Sequence, residues 1–477
     1  MEIAAERQDT IQIDRIFRLQ QKRSKALRQE AISVRKDRLK RLSDWLFANR
    51  ERVKQAVHRD FKKPLLEVDT TEIYPIIAEI RHVVSHLDEW AKPTKIDATL
   101  SYLGTRSEIR YEPKGVCLII APWNFPFNLC IGPLISCLAA GNAVILKPSE
   151  LTPSTSKLVR EMIPEIFNED EVAVIEGGIE VAKHIISLPF DHIFFTGSPA
   201  VGKIVMKAAA ENLTSVTLEL GGKSPAIIDA TANIKDAAKR IAFGKFMNNG
   251  QTCIAPDYVL VEEKIRDNFL KELIREVKTL FGENGSITES SASYARIVNA
   301  KNFQRINHLV QDAVQRGAKL EFTGSVSEGT RFMHPIVLSD VPLDAAIMEH
   351  EIFGPVLPVI TYQKLDEIID LVNSKPKPLA LYIFSNNKFC REQILNRTSA
   401  GGVCINDCII QFTHPNLPFG GVNNSGIGKS HGRYGFLAFS NEKPVLKQKN
   451  GFASPYMLYP PYVPKMKRIV DLLLRWF

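Results

Sequence analysis

The stretch Gly115–Leu146 narrows what this chain can fold into more than any other, because it carries no charged side chain. It is long enough to cross a bilayer as a helix. Pro122, Pro126 and Pro133, together with Asn124, Asn128, Asn142 and Gly141, argue against that. Prolines remove backbone donors, and unpaired amides are costly in hydrocarbon. What fits is a buried unit: an apolar strand Gly115–Ala121, a proline-fenced turn, a helix Asn128–Ala140 and a second strand Ala143–Lys147.

The same rhythm continues downstream. A helix Ser154–Ile166 leads to a strand Val172–Ile175 closed by Gly177-Gly178, then a helix around Val181–Ser187 and a strand His192–Phe195. The loop Thr196–Pro199 opens another helix, and Val216–Glu219 follows as a strand. Strands alternating with helices in this way predict an α/β fold built on a mostly parallel, doubly wound sheet, with ligands at the carboxyl ends of the strands. A second series starts after Gly222, with strands Ala226–Ile228, Tyr258–Val261, Pro335–Leu338 and Val356–Tyr362 and helices to Phe246, over Asp267–Phe281 and over Phe303–Arg316. No low-complexity linker separates the two, so the boundary near Gly221-Gly222 is expected to be a packed interface. Residues from about 10 to 95 read as helices, whereas Leu100–Glu112 alternates around Gly104 as a hairpin or paired arm would.

Composition excludes several function classes. The net charge of +8 is concentrated early, in Arg15–Arg41, where basic residues alternate with Leu19, Leu27, Ile32, Leu39 and Leu42. That is an amphipathic helix with a solvated basic face. No stacking-aromatic motif or zinc-finger spacing accompanies it, so no nucleic acid is expected. The seven cysteines are scattered, with no CxxC pair, which argues against a disulfide framework or zinc site and for a reducing, cytoplasmic setting. His82 and His86 share a helix face without a third ligand, and no metal is expected. The polar, acidic N-terminus reads as no signal peptide.

Chemistry concentrates at junctions between these elements. Asn248–Pro256 is a charge-free loop with Cys253 at its centre; a thiolate there would be the strongest nucleophile among the side chains, helped by nearby backbone N–H groups. Glu219 stands at a strand end before Gly221-Gly222, placed to act as a base or simply as a surface acid. Asn124, in an apolar turn stiffened by prolines, is placed to donate to an oxyanion or to serve the turn itself. Gly197–Lys203 nearly matches a phosphate-binding loop, but Ile204 stands where a magnesium-binding hydroxyl is needed. The loop still offers a glycine-bounded helix N-terminus to a pyrophosphate. Glu351-Ile352-Phe353-Gly354-Pro355 is a further strand-entry turn holding an acid and an aromatic.

Together these segments, with Lys147–Glu150 and Leu417–Gly421, resemble the aldehyde dehydrogenase superfamily over about residues 110 to 440. The short N-terminus, Ala200–Lys203 and Tyr459-Pro460-Pro461 resemble its class 3 branch of fatty- and aromatic-aldehyde enzymes. The resemblance implies a Rossmann-like NAD(P)-binding domain (residues 1–92 and 113–222), an α/β catalytic domain (223–412) and a small β bridging arm (93–112 and 413–450) that pairs subunits as a homodimer. It implies that Cys253 attacks the aldehyde, Asn124 stabilises the oxyanion and Glu219 activates the water that hydrolyses the thioester. The cofactor would lie against Pro122, Trp123, Lys147, Glu150, Gly178, Phe195, Gly197, Ser198, Val201, Gly202, Leu220, Glu351 and Phe353. Glu150 favours NAD by repelling a 2′-phosphate, although class 3 relatives also accept NADP. CoA-acylating relatives characteristically lack the glutamate at 219, so the expected product is the free acid. Pro199, in place of the usual polar residue, and His350, where an acid often stands, depart from the pattern.

Residues 451–477 form a tail. Pro464–Phe477 carries an apolar run, with Leu472, Leu473 and Leu474, flanked by Lys465, Lys467, Arg468 and Arg475. It reads as a helix docked on the protein near the substrate entrance, or as an interfacial helix touching a membrane surface.

Overall fold

The structure, a computed structural model, describes residues 2–99, 102, 104–451 and 459–476. Three helices, Glu2–Leu27, Ile32–Phe61 and Tyr74–Trp90, lead into a six-stranded sheet. Its order is Gly426–Ile427, Ser215–Glu219, His192–Thr196, Val116–Ile120, Ala143–Lys147 and Val172–Val174. Every pair is parallel except the short edge strand Gly426–Ile427 against Ser215–Glu219. Register decides what the sheet presents. Ile120 pairs with both Lys147 and Phe195, and Thr196 pairs with Glu219. The carboxyl ends of these strands therefore set Lys147, Phe195 and Glu219 along one rim.

The buried unit expected from residues 115–146 is present. Leu118, Ile119, Val144, Ile145 and Leu146 are fully buried, and each such side chain contributes about 1.5–3 kcal/mol on leaving water. The helix Asn128–Ala140 stops at Gly141, whose φ of 93° is left-handed and whose N–H reaches the Cys137 and Leu138 carbonyls. A Cβ at Gly141 would lie 2.6 Å from the Arg35 guanidinium, so glycine is required both for the turn and for the approach. The start of this helix has no local cap. Instead the Glu72 carboxylate accepts the Phe127 and Asn128 N–H groups at 3.2 and 2.9 Å.

A seven-stranded sheet follows, in the order Lys319–Phe322, Ile336–Ser339, Val356–Tyr362, Tyr258–Glu262, Pro225–Ile228, Ala380–Phe384 and Gly402–Ile405. Only its first strand is antiparallel. Of the two readings of Leu100–Glu112, the paired arm is the one that forms, and a hairpin around Gly104 is not. Arg106–Pro113 pairs antiparallel with Thr94–Ile96 on one side and with Ser440–Lys447 on the other. The alternation was sound, but Gly104 lies in the loop, because the strand's partners come from upstream and from far downstream. Pro464–Trp476 is helical, with Leu472 and Leu474 exposed in the single chain. No helix among the described residues is long and apolar enough to cross a membrane.

Candidate active site

The Cys253 loop begins where the helix Ile234–Phe246 ends. Asn248 and Asn249 adopt left-handed φ of 53° and 57°, which asparagine tolerates better than most residues. At Gly250 (φ 71°) a Cβ would meet the Gly354 carbonyl at 2.2 Å. Partners distant in sequence then hold the loop. Glu67 accepts the Asn248 N–H at 2.9 Å, Asn249 donates to the Ala295 carbonyl at 2.9 Å, and Gln251 bridges the Arg296 carbonyl and the Val298 N–H, both at 2.9 Å. Thr252 and Ile254 are buried beside a partly exposed Cys253.

Cys253 lines two cavities. The smaller, of about 50 Å³, also has Glu219, Leu220, Phe419 and Ser430 in its wall, and this is room enough for water. The larger, of about 220 Å³, is mostly apolar, with Phe125, Leu129, Phe243, Met247, Ile409 and Phe412 around it. Burial pushes the Cys253 thiol up to about 12; the negative charges of Glu351 and Glu219 add to this, against the backbone N–H groups of Cys253 and Ile254.

Glu219 closes the strand Ser215–Glu219. One carboxylate oxygen, Oε1, accepts the Ser430 hydroxyl at 2.9 Å, and Oε2 is buried without a partner among the described residues. Burial pushes this carboxyl up to about 8, opposed by the Ser430 hydrogen bond and by Lys429. Asn124, almost wholly buried, donates from Nδ2 to the Gln251 carbonyl at 3.0 Å, and its own carbonyl accepts Asn248 Nδ2 at 2.8 Å. It is thus bonded to the Cys253 loop. It does not line either cavity, whereas its neighbour Phe125 lines the apolar one.

The other predicted residues occupy the adjoining rim. Ser198 caps the helix Pro199–Glu211 by accepting the Val201 N–H at 3.4 Å, and Pro199 sits in the first turn, where its missing donor is harmless. A Cβ at Gly197 would lie 2.5 Å from the Phe195 ring, and one at Gly202 would lie 2.7 Å from Leu220. Both glycines thereby let the helix start close against the strand ends. Lys147 is buried and donates to Glu150 at 3.2 Å. Gly178 precedes the helix Ile179–Ser187 with open space at its Cα. Next to Pro122, Trp123 meets Phe353 edge-on, with ring centroids 5.2 Å apart. The Glu351 carboxylate lies against Gly221, where a Cβ would come within 2.3 Å of it. Burial and Asp257 push it up to about 8, opposed by the Gly222 N–H. Arg305 holds the same turn through the Glu351 and Ile352 carbonyls at 3.2 and 2.8 Å. Of the predicted cofactor residues, Leu220 alone lines a cavity that reaches the sulfur; the others lie outside both.

Comparison with known proteins accounts for this assembly. The profile of the aldehyde dehydrogenase family matches residues 3–445. The chain belongs to the aldehyde dehydrogenase family. It is 44% identical to the 4,4'-diaponeurosporen-aldehyde dehydrogenase of Staphylococcus aureus, over 92% of this chain and 94% of that protein. It is 40% identical to aldehyde dehydrogenase family 3 member A2 of Mus musculus, over 91% and 88%, which places it in the class 3 branch. The solved structure described as the substrate-bound state of Staphylococcus aureus AldH superposes with a TM-score of 0.92 at 42% identity, covering 97% of this chain and 99% of that one. The α/β architecture is therefore the aldehyde dehydrogenase fold.

Several residues of this aldehyde dehydrogenase site escaped sequence reasoning. Ser430, Lys429, Glu67 and Phe412 reach it only through the tertiary fold, and their sequence neighbourhoods carry no signal. Gln251 lies inside the cysteine motif, but its two-sided bridge depends on residues 296 and 298. No cluster suited to a metal ion is found among the described residues.

Proposed function

We propose that this aldehyde dehydrogenase oxidises medium- or long-chain aliphatic or aromatic aldehydes to free carboxylic acids through a covalent adduct on Cys253. The observation that carries the reading is the position of the sulfur, between an apolar cavity of about 220 Å³ and a smaller one shared with Glu219. The apolar side suits a hydrocarbon or aryl tail, and relatives described as 4,4'-diaponeurosporen-aldehyde dehydrogenase and as a probable coniferyl aldehyde dehydrogenase support the same reading.

Cys253 Sγ adds to the carbonyl carbon, and the resulting oxyanion falls to the backbone N–H of Cys253; Asn124, which braces this loop through the Gln251 carbonyl from outside the cavity wall, would have to turn its second amide N–H inward to share in this. After the carbonyl hydrogen has left, a thioester remains on Cys253. Glu219 takes a proton from water as the water oxygen attacks that thioester and the C–S bond breaks. When bound, a nicotinamide cofactor supplies the hydride acceptor for the first half. The rim fits such a group. Gly197 and Gly202 let the Ser198-capped helix start close against the strand ends, where its N-terminus would receive a pyrophosphate; Lys147 and Glu150 would hold the ribose, and Glu351 with Phe353 the nicotinamide end. The Glu150 carboxylate disfavours a 2′-phosphate, so NAD is the better match. The sheet of Thr94–Ile96, Arg106–Pro113 and Ser440–Lys447, with Ile96 and Leu446 exposed, is the surface we assign to pairing two subunits as a homodimer.

A coenzyme A- or phosphate-dependent acylating enzyme is the competing chemistry. Glu219 at the wall of a water-sized cavity supports hydrolysis instead. Assayed with neither coenzyme A nor phosphate, the enzyme is expected to turn over fully. Cys253→Ala should lose all oxidation, and Glu219→Gln should keep a burst of NADH while steady turnover falls about 10²–10⁴-fold. Dependence on an added thiol would sink the hydrolytic reading.

A further inference from the structure

Two passages leave Cys253. One is the apolar cavity. The other starts in the small cavity between Cys253 and Glu219, whose wall also holds Glu79, Asn128, Ser136 and His431. Glu79, Asn128, Gly132 and His431 recur in the wall of a third cavity, of about 220 Å³, which ends at Tyr74, Pro75 and Pro415. Tyr74 is exposed at the surface. Phe412 belongs to all three walls and stands where the two passages part.

Polar atoms without protein partners mark this second passage. Glu219 Oε2 stands at its inner end, and His82 Nε2 is buried one helical turn beyond Glu79, outside the cavity walls; neither has a hydrogen-bond partner among the described residues. Glu79 is buried, with Oε1 accepting the Gly432 N–H at 2.7 Å. Its other oxygen has no protein partner among the described residues. Buried polar atoms next to room of this size hold water.

The proposed oxidation releases two protons per turnover, one from the thiol half and one from the water half. In the water half the acyl carbon–oxygen bond forms, and the C–S bond breaks with its electron pair returning to sulfur, which takes up the remaining proton of the acid so that the product leaves as a carboxylate. One water proton passes to Glu219. A hydrocarbon tail filling the apolar cavity leaves that proton no exit on that side. We propose that the second passage carries water and that Glu79 receives through it the proton held by Glu219 after each hydrolysis, releasing it to solvent at the Tyr74 mouth.

This assignment rests on the hydrolytic reading above. Burial pushes the Glu79 carboxyl up, with only the Gly432 N–H opposing, so that it exchanges protons nearer to the range of Glu219. The other titratable groups in its walls are Cys253, His431 and, at the mouth, Tyr74; His82 and His86 lie on the helix of Glu79, and Lys429 beyond Glu219. Burial holds His82 low and His431 down to about 4, so neither places a positive charge beside Glu79 at neutral pH. Lys429 is directed at the Gly420 carbonyl.

Glu79→Gln keeps the acceptor for Gly432 and removes the capacity to carry a proton. Stopped-flow and steady-state rates would be measured on the full chain with dodecanal and with acetaldehyde. The NADH burst should stay unchanged with both. Steady turnover of dodecanal should fall about tenfold, with a larger solvent deuterium isotope effect. Acetaldehyde, too short to fill the apolar cavity, should lose much less. Ala78→Phe, which narrows only the outer cavity, should reproduce the chain-length-dependent loss with the carboxylate intact. An unchanged dodecanal turnover in both variants, or an equal loss with both aldehydes, would overturn the relay. If the unaltered enzyme shows no turnover without coenzyme A, the hydrolytic reading falls and takes the relay with it, a failure recognisable before any variant is made.

Discussion

At the scale of single residues, the site is set by what burial does to its acids and its thiol. Glu219 can act as a base only when ionised, and burial has pushed its carboxyl up to about 8. Hydrolysis of the thioester should therefore be slow below that pH, rise as pH passes through it and level off above. The Ser430 hydroxyl stabilises the ionised form, and removing it favours the protonated form. Ser430→Ala is thus expected to move the rising limb of the deacylation profile to higher pH, by about one unit for a hydrogen bond to a charged group. A pH series of single-turnover rates on the isolated acyl-enzyme checks this. A limb that does not move would mean that Ser430 does not control the base. The thiol behaves in the same direction. Raised to about 12 in the free protein, Cys253 should react with iodoacetamide more slowly than a free thiol at neutral pH, with a rate still climbing at pH 10.

At the scale of elements, the catalytic loops are held by charges from the N-terminal helices. Lys63 and Glu72 form an ion pair at 2.9 Å with both side chains fully buried. Glu72 also caps the helix Asn128–Ala140, and Lys63 lies 3.9 Å over the Phe125 ring, next to Asn124. Breaking one side of such a pair leaves a buried charge uncompensated, which costs about 3–5 kcal/mol. Glu72→Ala should lower the thermal midpoint clearly and loosen the Asn124 turn, lowering the rate of the burst phase as well as stability. A stable variant with an unaltered burst would show that the pair does not support the turn. This contact also explains why the helix start was legible but its cap was not: the sequence near Phe127 offers no capping side chain, and the acceptor comes from residue 72.

At the scale of the whole molecule, the tail and the arm depend on what surrounds the single chain. The helix Pro464–Trp476 leaves Leu472 and Leu474 exposed. If it gates the apolar entrance, truncation after Pro464 should change KM for long aldehydes several-fold more than for short ones, and identical kinetics across chain lengths would dismiss the gate.

The order of strands and helices was written in the chain. Uncharged runs such as 116–120 and 143–147 satisfy their backbones and bury their side chains in only one local way, and the motifs at their ends named the residues to watch. The register of Thr196 with Glu219, the residue-by-residue register of Arg106–Pro113 on Ser440–Lys447, and the meeting of Glu79, Ser430 and Phe412 around Cys253 were decided only in three dimensions. Local periodicity records which face of an element is apolar. It holds nothing about which distant polar atom completes a buried hydrogen bond, because that choice is made by packing between segments hundreds of residues apart.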